Sequence, residues 1–380
     1  MKLIKPSYKI IEQNPGLNDI YEAIESAGRT CYKSRGTRYF KIPLNGLIVP
    51  DVWDKLKLDT LCDKYIKTEG DGLYPHCLNG YVSIADEAVK LFPELVQYES
   101  EFNPKYHKNI ITAKDFVDRM IKSGNCSMLE FGTVYLKFNS QDLQGPDFYI
   151  YDKYIRNPYS KVTIVDNGLG GDVFISTNYR VLVENGWLDD LNYLCEPTEY
   201  HEKRVCVGFT TDRGVSHELV KHRVFSFAQE STKYCLYNIE NVTFIIPGWS
   251  NLKEGFYATS ETITFGKAEH ILEAKYSKYD INENNFDKSK TLKCDKKTEL
   301  LISSLKDAEY TYLQLIENNC KPQEARQVLP NALKTEINMC GFVSDWKHFF
   351  KFRDAEGAHP DMIALIEPLY EEFDRTYFNN

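Results

Sequence analysis

The stretch RVCVGFTTDRGVSHELVKHRVFSFAQESTKY, residues 204–234, joins a strand pattern directly to a short helix and a dense polar loop. In its first part, Val205, Val207 and Phe209 alternate with smaller or polar residues. This period of two predicts a strand over Arg204–Thr210. The polar residues that follow therefore begin at the end of a strand.

The polar part of this stretch combines cations, imidazoles and hydroxyls. Thr211 or Asp212 can cap the short helix. The polar cluster consists of Arg213, His217, Lys221, His222, Arg223, Gln229, Glu230, Ser231, Thr232 and Lys233. Cations beside adjacent hydroxyls and backbone N–H groups are the components of a phosphate cradle. The alternative is a solvated basic helix end with a capping Ser-Thr pair, because short basic motifs often match by chance.

Composition limits the class of protein. The chain has 380 residues, 42% of them hydrophobic, and a net charge of −9. The acidic balance argues against a general nucleic-acid-binding protein but leaves room for a small basic pocket for one nucleotide. Neither a secretion signal in residues 1–10 nor an apolar run of about 18 residues is present, so no membrane segment is expected.

The ten cysteines are scattered, and none forms a C-x-x-C pair. This spacing argues against a zinc ribbon or a thioredoxin motif, so we expect no metal. Without a secretion signal, the cysteines are expected to be reduced thiols in a cytoplasm, which would be the host cytoplasm if the protein is viral.

Local patterns outside this stretch predict further elements. Helices are expected over Leu17–Ala27 with a stop at Gly28, over Thr112–Lys122 with Thr112 as N-cap and Gly124 as stop, over 301–316, from Pro322, and from a cap at Ser344. Strands are expected over Thr133–Phe138, Lys161–Asp166 and Asp172–Ser176, and Trp249–Lys297 is expected to be a variable loop.

The order of these elements predicts the fold class. Strands and helices are interleaved without regular βαβ alternation, and no G-x-G-x-x-G follows a predicted strand. We therefore expect a mixed α/β (α+β) fold rather than a doubly wound sheet. The chain is expected to form a single domain, 1–380, with insertions at about 36–110 and 250–298.

One motif within the polar cluster resembles a known signature. Lys221, His222 and Arg223, seven further residues and Ser231 match the R-H-R-x7-S signature of the flavin-dependent (ThyX-type) thymidylate synthases, with lysine for the first arginine. Flanking segments also resemble this family, especially its phage and bacterial members, in the same order: AGRTCYKS (27–34), SGNCSMLEFGTVYL (123–136), CEPTEYHEKR (195–204) and EARQVLP (324–330).

The resemblance implies a fold and an activity. The family fold is a central, mostly antiparallel sheet flanked by helices. Its members convert dUMP to dTMP, with 5,10-methylene-tetrahydrofolate as carbon donor and FAD, reduced by NADPH, as hydride source. They are homotetramers with shared active sites, and their reaction needs no cysteine nucleophile.

The resemblance also implies roles for individual residues. The dUMP site would comprise Glu218, Lys221, Gln229, Glu230, Ser231, Thr232, Lys233, Arg326 and Arg353. The FAD site would comprise Ser127, Lys221, His222, Arg223, Gln229 and His348, with Glu130 as the family's acid nearby. Ser231 and Arg353 would be catalytic: the hydroxyl activates the substrate, and the guanidinium polarises the uracil ring at N3 and its neighbouring carbonyl.

Two of these residues have alternative interpretations. Arg353 could instead form a surface ion pair with Asp354 or Glu356. His348 could instead be a core histidine with satisfied hydrogen bonds.

Three alternative functions stand beside this one, and departures from the family pattern motivate the first of them. The family often has histidine at Asn125 and Phe131, glutamate at Gln229, and N-x-R at 342–344. These departures favour a divergent, non-catalytic flavin- or nucleotide-binding homologue as the alternative function. A cysteine-dependent enzyme would lose activity on thiol alkylation, and a nucleic-acid-binding protein would show salt-sensitive binding to DNA.

Overall fold

The computed structural model describes most of the chain in two compact units, Met1–Ser34 with Cys126–Asn380, and Arg35–Asn125. The described residues are 1–32, 39–43, 66–69, 81–85, 111–139, 151–166, 171–235, 237, 242–259, 271–277, 290–293, 295–353 and 359–379. Within these ranges the side chains of 39–43, 66–69, 81–85, 111–112, 258–259, 271–277, 290–293 and 353 are not described. Most of the predicted insertion at 36–110 lies outside the described residues, and the single domain with two insertions stays a prediction.

The described strands and helices alternate irregularly along the chain. The strands are β1 (Lys2–Ile4), β2 (Ser7–Ile11), β3 (Tyr39–Pro43), β4 (Ile66–Glu69), β5 (Tyr81–Ala85), β6 (Thr133–Phe138), β7 (Lys161–Val165), β8 (Asp172–Asn178), β9 (Arg204–Asp212), β10 (Ser226–Gln229), β11 (Thr243–Ile245), β12 (Gly255–Thr259), β13 (Ile271–Ser277), β14 (Lys290–Lys293) and β15 (Lys334–Phe342). The α-helices are α1 (Leu17–Tyr32), α2 (Ile111–Ser123), α3 (Asp152–Ile155), α4 (Tyr179–Asn185), α5 (Arg213–Leu219), α6 (Lys296–Glu317), α7 (Pro322–Ala325), α8 (Val343–Arg353) and α9 (Pro360–Phe373). Among the described residues, none of the helices is long and apolar enough to cross a membrane.

A four-stranded antiparallel sheet, in the order β10-β15-β9-β2, carries the stretch with which the sequence analysis began. The predicted alternation in β9 is confirmed, because Val205, Val207 and Phe209 are all buried. β9 pairs with β15 along its whole length, from Asp212 opposite Lys334 to Arg204 opposite Phe342. The mixed α/β class with antiparallel sheets is therefore confirmed.

The main core lies between this sheet and helices α5, α8 and α9. Trp346 on α8 is fully buried, and its indole Nε1 donates a hydrogen bond to the carbonyl oxygen of Val205 at 3.1 Å. Phe349 and Phe350 are buried beside it, as their spacing along the helix requires. This core fixes α8 against β9 and thereby connects the C-terminal helices to the predicted site.

A second core forms between α6 and a five-stranded sheet in the order β11-β1-β12-β13-β14. The expectation of a variable loop over Trp249–Lys297 is wrong in part, because the segment contains β12, β13 and β14. The polar, lysine-rich composition of the segment as a whole hides these short strands, and their pairing is made by backbone groups.

Two smaller sheets complete the described strands. β7 and β8 form an antiparallel pair from Lys161 opposite Ser176 to Val165 opposite Asp172, which confirms the two predicted strands. β6 pairs with the other edge of β8. The unit Arg35–Asn125 contains the sheet β3-β5-β4 and helix α2.

Helix boundaries differ from the predictions at Gly28. The predicted stop there is wrong, because α1 continues to Tyr32. Gly28 is buried inside the helix, and the packing of this segment outweighs the cost of about 1 kcal/mol that glycine adds in a helix interior. Gly124, in contrast, has φ of 72° and ends α2 as predicted, since glycine enters the left-handed region without a Cβ penalty.

Two predicted helix caps are also wrong. Thr112 lies inside α2, which begins at Ile111. Ser344 lies inside α8, where the Asp345 carboxylate accepts a hydrogen bond from the backbone N–H of Phe342 at 3.1 Å. Asp345 therefore makes the side-chain hydrogen bond at the start of α8 that was expected from Ser344.

Candidate functional site

Helix α5 begins where β9 ends, and Asp212 makes the junction. Its carboxylate accepts a hydrogen bond from the backbone N–H of Val215 at 2.8 Å, so Asp212 is the N-cap, rather than Thr211. Burial raises the pKa of Asp212, against the opposing effect of its backbone hydrogen bonds. The cap fixes the start of α5 at the end of the sheet. The basic residues that follow α5 therefore lie near that end.

Of the three signature residues that follow α5, the two cations are exposed and the imidazole packs against the protein. Lys221 and Arg223 are exposed, whereas His222 is half-buried with its ring edge-on to Phe349 at 4.8 Å between centroids. The signature segment thus contacts α8. Exposed cations suit a pyrophosphate, and a fixed imidazole suits the polar edge of a flavin, so the chemistry of these groups fits FAD.

The Ser231 turn follows β10 and is tied to the end of α1. The backbone N–H of Ser231 donates to the carbonyl oxygen of Cys31 at 2.9 Å. The backbone carbonyl of Ser231 accepts from Tyr234 and Cys235 at 3.1 and 3.0 Å. Its Oγ accepts a hydrogen bond from the N–H of Lys233 at 3.3 Å. The segments AGRTCYKS and QESTK, far apart in sequence, therefore meet at this serine.

Arg326, which belongs to the EARQVLP segment, contacts the same turn. Its Nη1 donates to Thr232 Oγ1 at 3.0 Å across a separation of 94 residues. Thr232 is buried, whereas Arg326 is exposed and follows α7, which has Pro322 in its first turn as predicted. The structure thus brings together two of the residues assigned to the dUMP site.

Glu230, immediately before the turn, is engaged inside the protein. It is 2% exposed, and its two carboxylate oxygens bind different partners. Oε1 accepts from the Tyr237 hydroxyl at 2.7 Å, and Oε2 lies 3.0 Å from Lys334 Nζ. Lys334 also pairs with Glu336. Although burial lowers the pKa of Lys334, the two carboxylates raise it more, and its net pKa is above the usual value.

Sequence reasoning did not single out Lys334 or Tyr237. A signal for Lys334 was available, since it follows the apolar Leu333 and is the first residue of β15, whose residues are mostly buried. A lysine in such a place has to find a carboxylate.

Arg213 is a further cation that received no role from the resemblance. Its Nη1 is buried and has no hydrogen-bond partner among the described residues. Arg213 lies close enough to Tyr237 to oppose the pKa increase that burial and Glu230 impose on that phenol. A buried donor of this kind is costly unless a ligand or a water supplies an acceptor.

Gln229 and Glu218 are half-buried residues of the predicted dUMP site. Gln229 Nε2 donates to Ser216 Oγ at 2.8 Å and to Thr335 Oγ1 at 3.2 Å. The amide thereby joins α5 to β15 at the edge of the signature loop. The ligand contacts assigned to Gln229 and Glu218 stay predictions.

Residues of α8 were assigned to both ligands. Arg353 is the last residue of this helix, and its side chain, with Asp354 and Glu356, lies outside the described part of the chain. His348 is exposed, with its ring 4.6 Å from that of Phe352. The alternative of a core histidine is therefore wrong for His348, and its flavin contact stays a prediction.

The segment SGNCSMLEFGTVYL forms a 3-10 helix, Cys126–Phe131, and then β6. Ser127 is exposed on this helix. Glu130 Oε1 accepts from Arg180 Nη1 at 2.5 Å, and its backbone oxygen accepts from Arg204 Nη1 at 3.0 Å. The latter bond joins this segment to the start of β9 and so to the segment CEPTEYHEKR.

Comparison with known proteins gives a consistent result. Residues 203–377 match the family model described as thymidylate synthase complementing protein. This range contains β9, the signature loop, Arg326 and α8.

Curated relatives match over a similar extent. The flavin-dependent thymidylate synthase of Geobacter sulfurreducens is 24% identical over 153 residues, which are 40% of this chain and 48% of that protein. The enzyme of Pyrococcus furiosus is 26% identical over 162 residues, 42% and 50% of the two chains. That of Mycobacterium sp. (strain KMS) is 31% identical over 157 residues, 40% and 51% of the two chains. The chain spans about half the length of the curated relatives it matches.

Among solved structures, the UMP/dUMP methylase PolB from Streptomyces cacaoi, bound with 5-Br UMP, aligns with a TM-score of 0.31 and 13% identity. The alignment covers 45% of this chain and 68% of that chain. This likeness is too low to support an argument about the fold. The sequence matches and the convergence of the family-like segments lead to one conclusion: about 40% of the chain, within its C-terminal half, is distantly homologous to the flavin-dependent thymidylate synthase (Thy1/ThyX) family.

Proposed function

We propose that the chain is a flavin-dependent thymidylate synthase, which converts dUMP to dTMP with 5,10-methylene-tetrahydrofolate as carbon donor and NADPH-reduced FAD as hydride source. The observation that carries this proposal is the hydrogen bond from Arg326 to Thr232 at 3.0 Å. It joins two distant family-like segments at the turn that would hold the nucleotide.

The turn provides suitable groups for a phosphate monoester. Ser231 and Thr232 supply hydroxyls, and the exposed side chains of Lys233 and Arg326 supply positive charge. A guanidinium that already lies against the turn can add hydrogen bonds to phosphate oxygens without a large rearrangement. These groups would fix the nucleotide by its phosphate and leave its base free for chemistry.

The proposed FAD site lies around the exposed end of the signature segment. Lys221 and Arg223 would bind the pyrophosphate, and His222, His348 and Ser127 would contact the remainder of the cofactor. When bound, FAD supplies hydride chemistry that amino-acid side chains cannot perform. The protein would orient the nucleotide beside it and exclude water.

Activation of the uracil ring is assigned to Arg353 and Ser231. A guanidinium stays charged at any physiological pH and stabilises negative charge that develops on the pyrimidine. The Ser231 hydroxyl would activate the substrate as a ligand rather than as a nucleophile, since a serine nucleophile requires an adjacent base. The assembly that completes the site is proposed to be a homotetramer with shared active sites.

A divergent, non-catalytic homologue is the second candidate, and two observations favour it. The amide of Gln229 is used within the protein. Phe342 stands where the family has a polar residue, and it is buried with the cations of Lys161 and Arg204 each 5.5 Å from its ring. Such a protein would bind flavin and dUMP without turnover.

The test is dTMP formation by the purified protein with dUMP, NADPH, FAD and methylene-tetrahydrofolate, followed by chromatography. We expect dTMP only when dUMP, NADPH and methylene-tetrahydrofolate are all present, and none after the omission of any one of these three. A flavin-bound protein that binds dUMP but never forms dTMP would support the second candidate. A protein that binds neither flavin nor dUMP would refute both.

A further inference from the structure

The buried ion pair between Lys334 and Glu230 immediately precedes the proposed phosphate-binding turn. Lys334 is 8% exposed and Glu230 is 2% exposed, with 3.0 Å between Nζ and Oε2. The Tyr237 hydroxyl donates to the other oxygen of the same carboxylate at 2.7 Å. Both oxygens of Glu230 are thus directed to protein partners.

This carboxylate is mechanically connected to the turn through the backbone. The N–H of Glu230 donates to the carbonyl oxygen of Glu336 at 2.8 Å, and the next N–H, of Ser231, donates to Cys31 at 2.9 Å. Successive peptide groups are therefore held by β15 and by the end of α1. A displacement of the Glu230 side chain would shift the peptide that leads into Ser231.

Loss of the lysine charge would favour such a displacement. A buried carboxylate without a cation is strongly disfavoured in a medium of low dielectric constant. The Tyr237 hydroxyl donates a hydrogen bond to Glu230 but carries no charge that could replace that of Lys334. The carboxylate would then have to move toward water or take up a proton.

We propose that Lys334 is a positioning residue for the nucleotide phosphate, which acts through Glu230 on the Ser231–Thr232 turn without contacting the ligand. Tyr237 supports the same carboxylate from its other side. The inference rests on the proposed function, because it assumes that this turn holds the phosphate of dUMP.

The first experiment compares Lys334→Met with the wild type by calorimetric titration of dUMP and of deoxyuridine, which lacks the phosphate. Loss of one hydrogen bond to a charged group such as a phosphate reduces affinity by about 10- to 100-fold. We therefore expect dUMP affinity to fall by about 10- to 100-fold, with deoxyuridine affinity and flavin content unchanged. Wild-type dUMP affinity in this variant would overturn the inference.

Lys153→Met is the matched control. Lys153 also pairs with a buried carboxylate, with 2.6 Å between Nζ and Asp190 Oδ2, but it belongs to α3 and has no role in the proposed site. We expect its dUMP affinity to equal that of the wild type. An equal loss in both variants would mean general destabilisation and would overturn the inference.

The double variant Glu230→Gln with Lys334→Met separates positioning from direct contact. It removes both charges, and the new amide oxygen can still accept from Tyr237. We expect most of the dUMP affinity to return. A double variant as weak as Lys334→Met would mean that one of the two side chains contacts the ligand, and the inference would be overturned.

Two further measurements keep the inference testable. If Lys334→Met does not fold, Tyr237→Phe removes one hydrogen bond from the same carboxylate and should weaken dUMP binding by about 2- to 10-fold; unchanged binding would overturn the inference. Wild-type protein that binds neither dUMP nor inorganic phosphate would overturn the proposed function together with the inference. If the wild type binds dUMP and Lys334→Met binds it with the same affinity, the inference is overturned and the proposed function is not.

Discussion

Replacement of Arg326 by alanine tests the phosphate-binding turn with little risk to the fold. The Arg326 side chain is exposed, and its described hydrogen bond goes to Thr232 Oγ1 at 3.0 Å. Exposed substitutions usually change the free energy of unfolding by less than about 0.5 kcal/mol. A change in dUMP affinity would therefore report on the ligand rather than on stability.

The expected magnitude follows from the bonds that the variant loses. A hydrogen bond to a charged group contributes about 1.5–3 kcal/mol, and about 1.4 kcal/mol corresponds to a tenfold change in affinity. Arg326→Ala should thus raise the Kd for dUMP by about 10- to 150-fold. Arg326→Lys should lie between this variant and the wild type, because the charge remains and the planar, bidentate geometry is lost.

The assay is calorimetric titration of dUMP into flavin-loaded protein, with melting temperatures measured in parallel. Arg156→Ala is the control, since Arg156 is an exposed arginine paired with Asp152 at 3.5 Å and has no role in the site. We expect Arg156→Ala to bind dUMP like the wild type. Wild-type dUMP affinity in Arg326→Ala would refute the assignment of the turn.

Other predictions concern catalysis and stability. Arg353→Ala should reduce dTMP formation by about 100- to 1,000-fold, the usual effect of losing one group that stabilises developing charge, while circular dichroism stays unchanged; undiminished turnover would exclude the role. Ser231→Ala should weaken dUMP binding or turnover in steady-state kinetics, and wild-type constants would disprove the match to the signature. Burial lowers the pKa of His201, whose ring accepts from Thr198 N–H and lies 3.1 Å from the Leu136 carbonyl oxygen. Because the unfolded chain then binds the proton more tightly, stability should fall as pH drops below about 6.5, and His201→Gln should weaken this dependence in melting curves; an identical dependence would contradict it.

The strand and helix that present the signature were predictable because their signals are local. Alternation marks β9, and a capping aspartate marks the start of α5. Asp212 fulfils both conditions, as the last residue of the strand and the N-cap of the helix. The strands β7 and β8 could be predicted equally well, because the two strands are neighbours in sequence.

Elements that depend on distant partners were not predictable from local sequence. β1 pairs with β11 in parallel, with Lys2 opposite Thr243, and with β12 in antiparallel orientation, with Lys2 opposite Phe256. Nothing near Lys2 specifies a partner so far along the chain. The strands β12, β13 and β14 were missed for a related reason, since they are short, lie in a largely polar segment and pair with one another across intervening residues.

The same distinction between local signals and distant partners applies to the candidate site. Spacing alone left both a phosphate cradle and a solvated basic helix end open, and only the resemblance connected Arg326 to the turn. The contact with Thr232 is a property of the fold, which brings α7 to the end of β10. Lys334 escaped attention because lysine is rarely buried, and its environment depends on Glu230, a residue 104 positions earlier in the chain that follows β10.

The flavin absorbance spectrum of the purified protein, recorded before and after the addition of dUMP, tests the central claim most directly. The account predicts a bound flavin whose spectrum changes saturably with dUMP, because the nucleotide would lie beside the cofactor. A colourless protein that does not take up added FAD, or a bound flavin that is insensitive to dUMP, would contradict it.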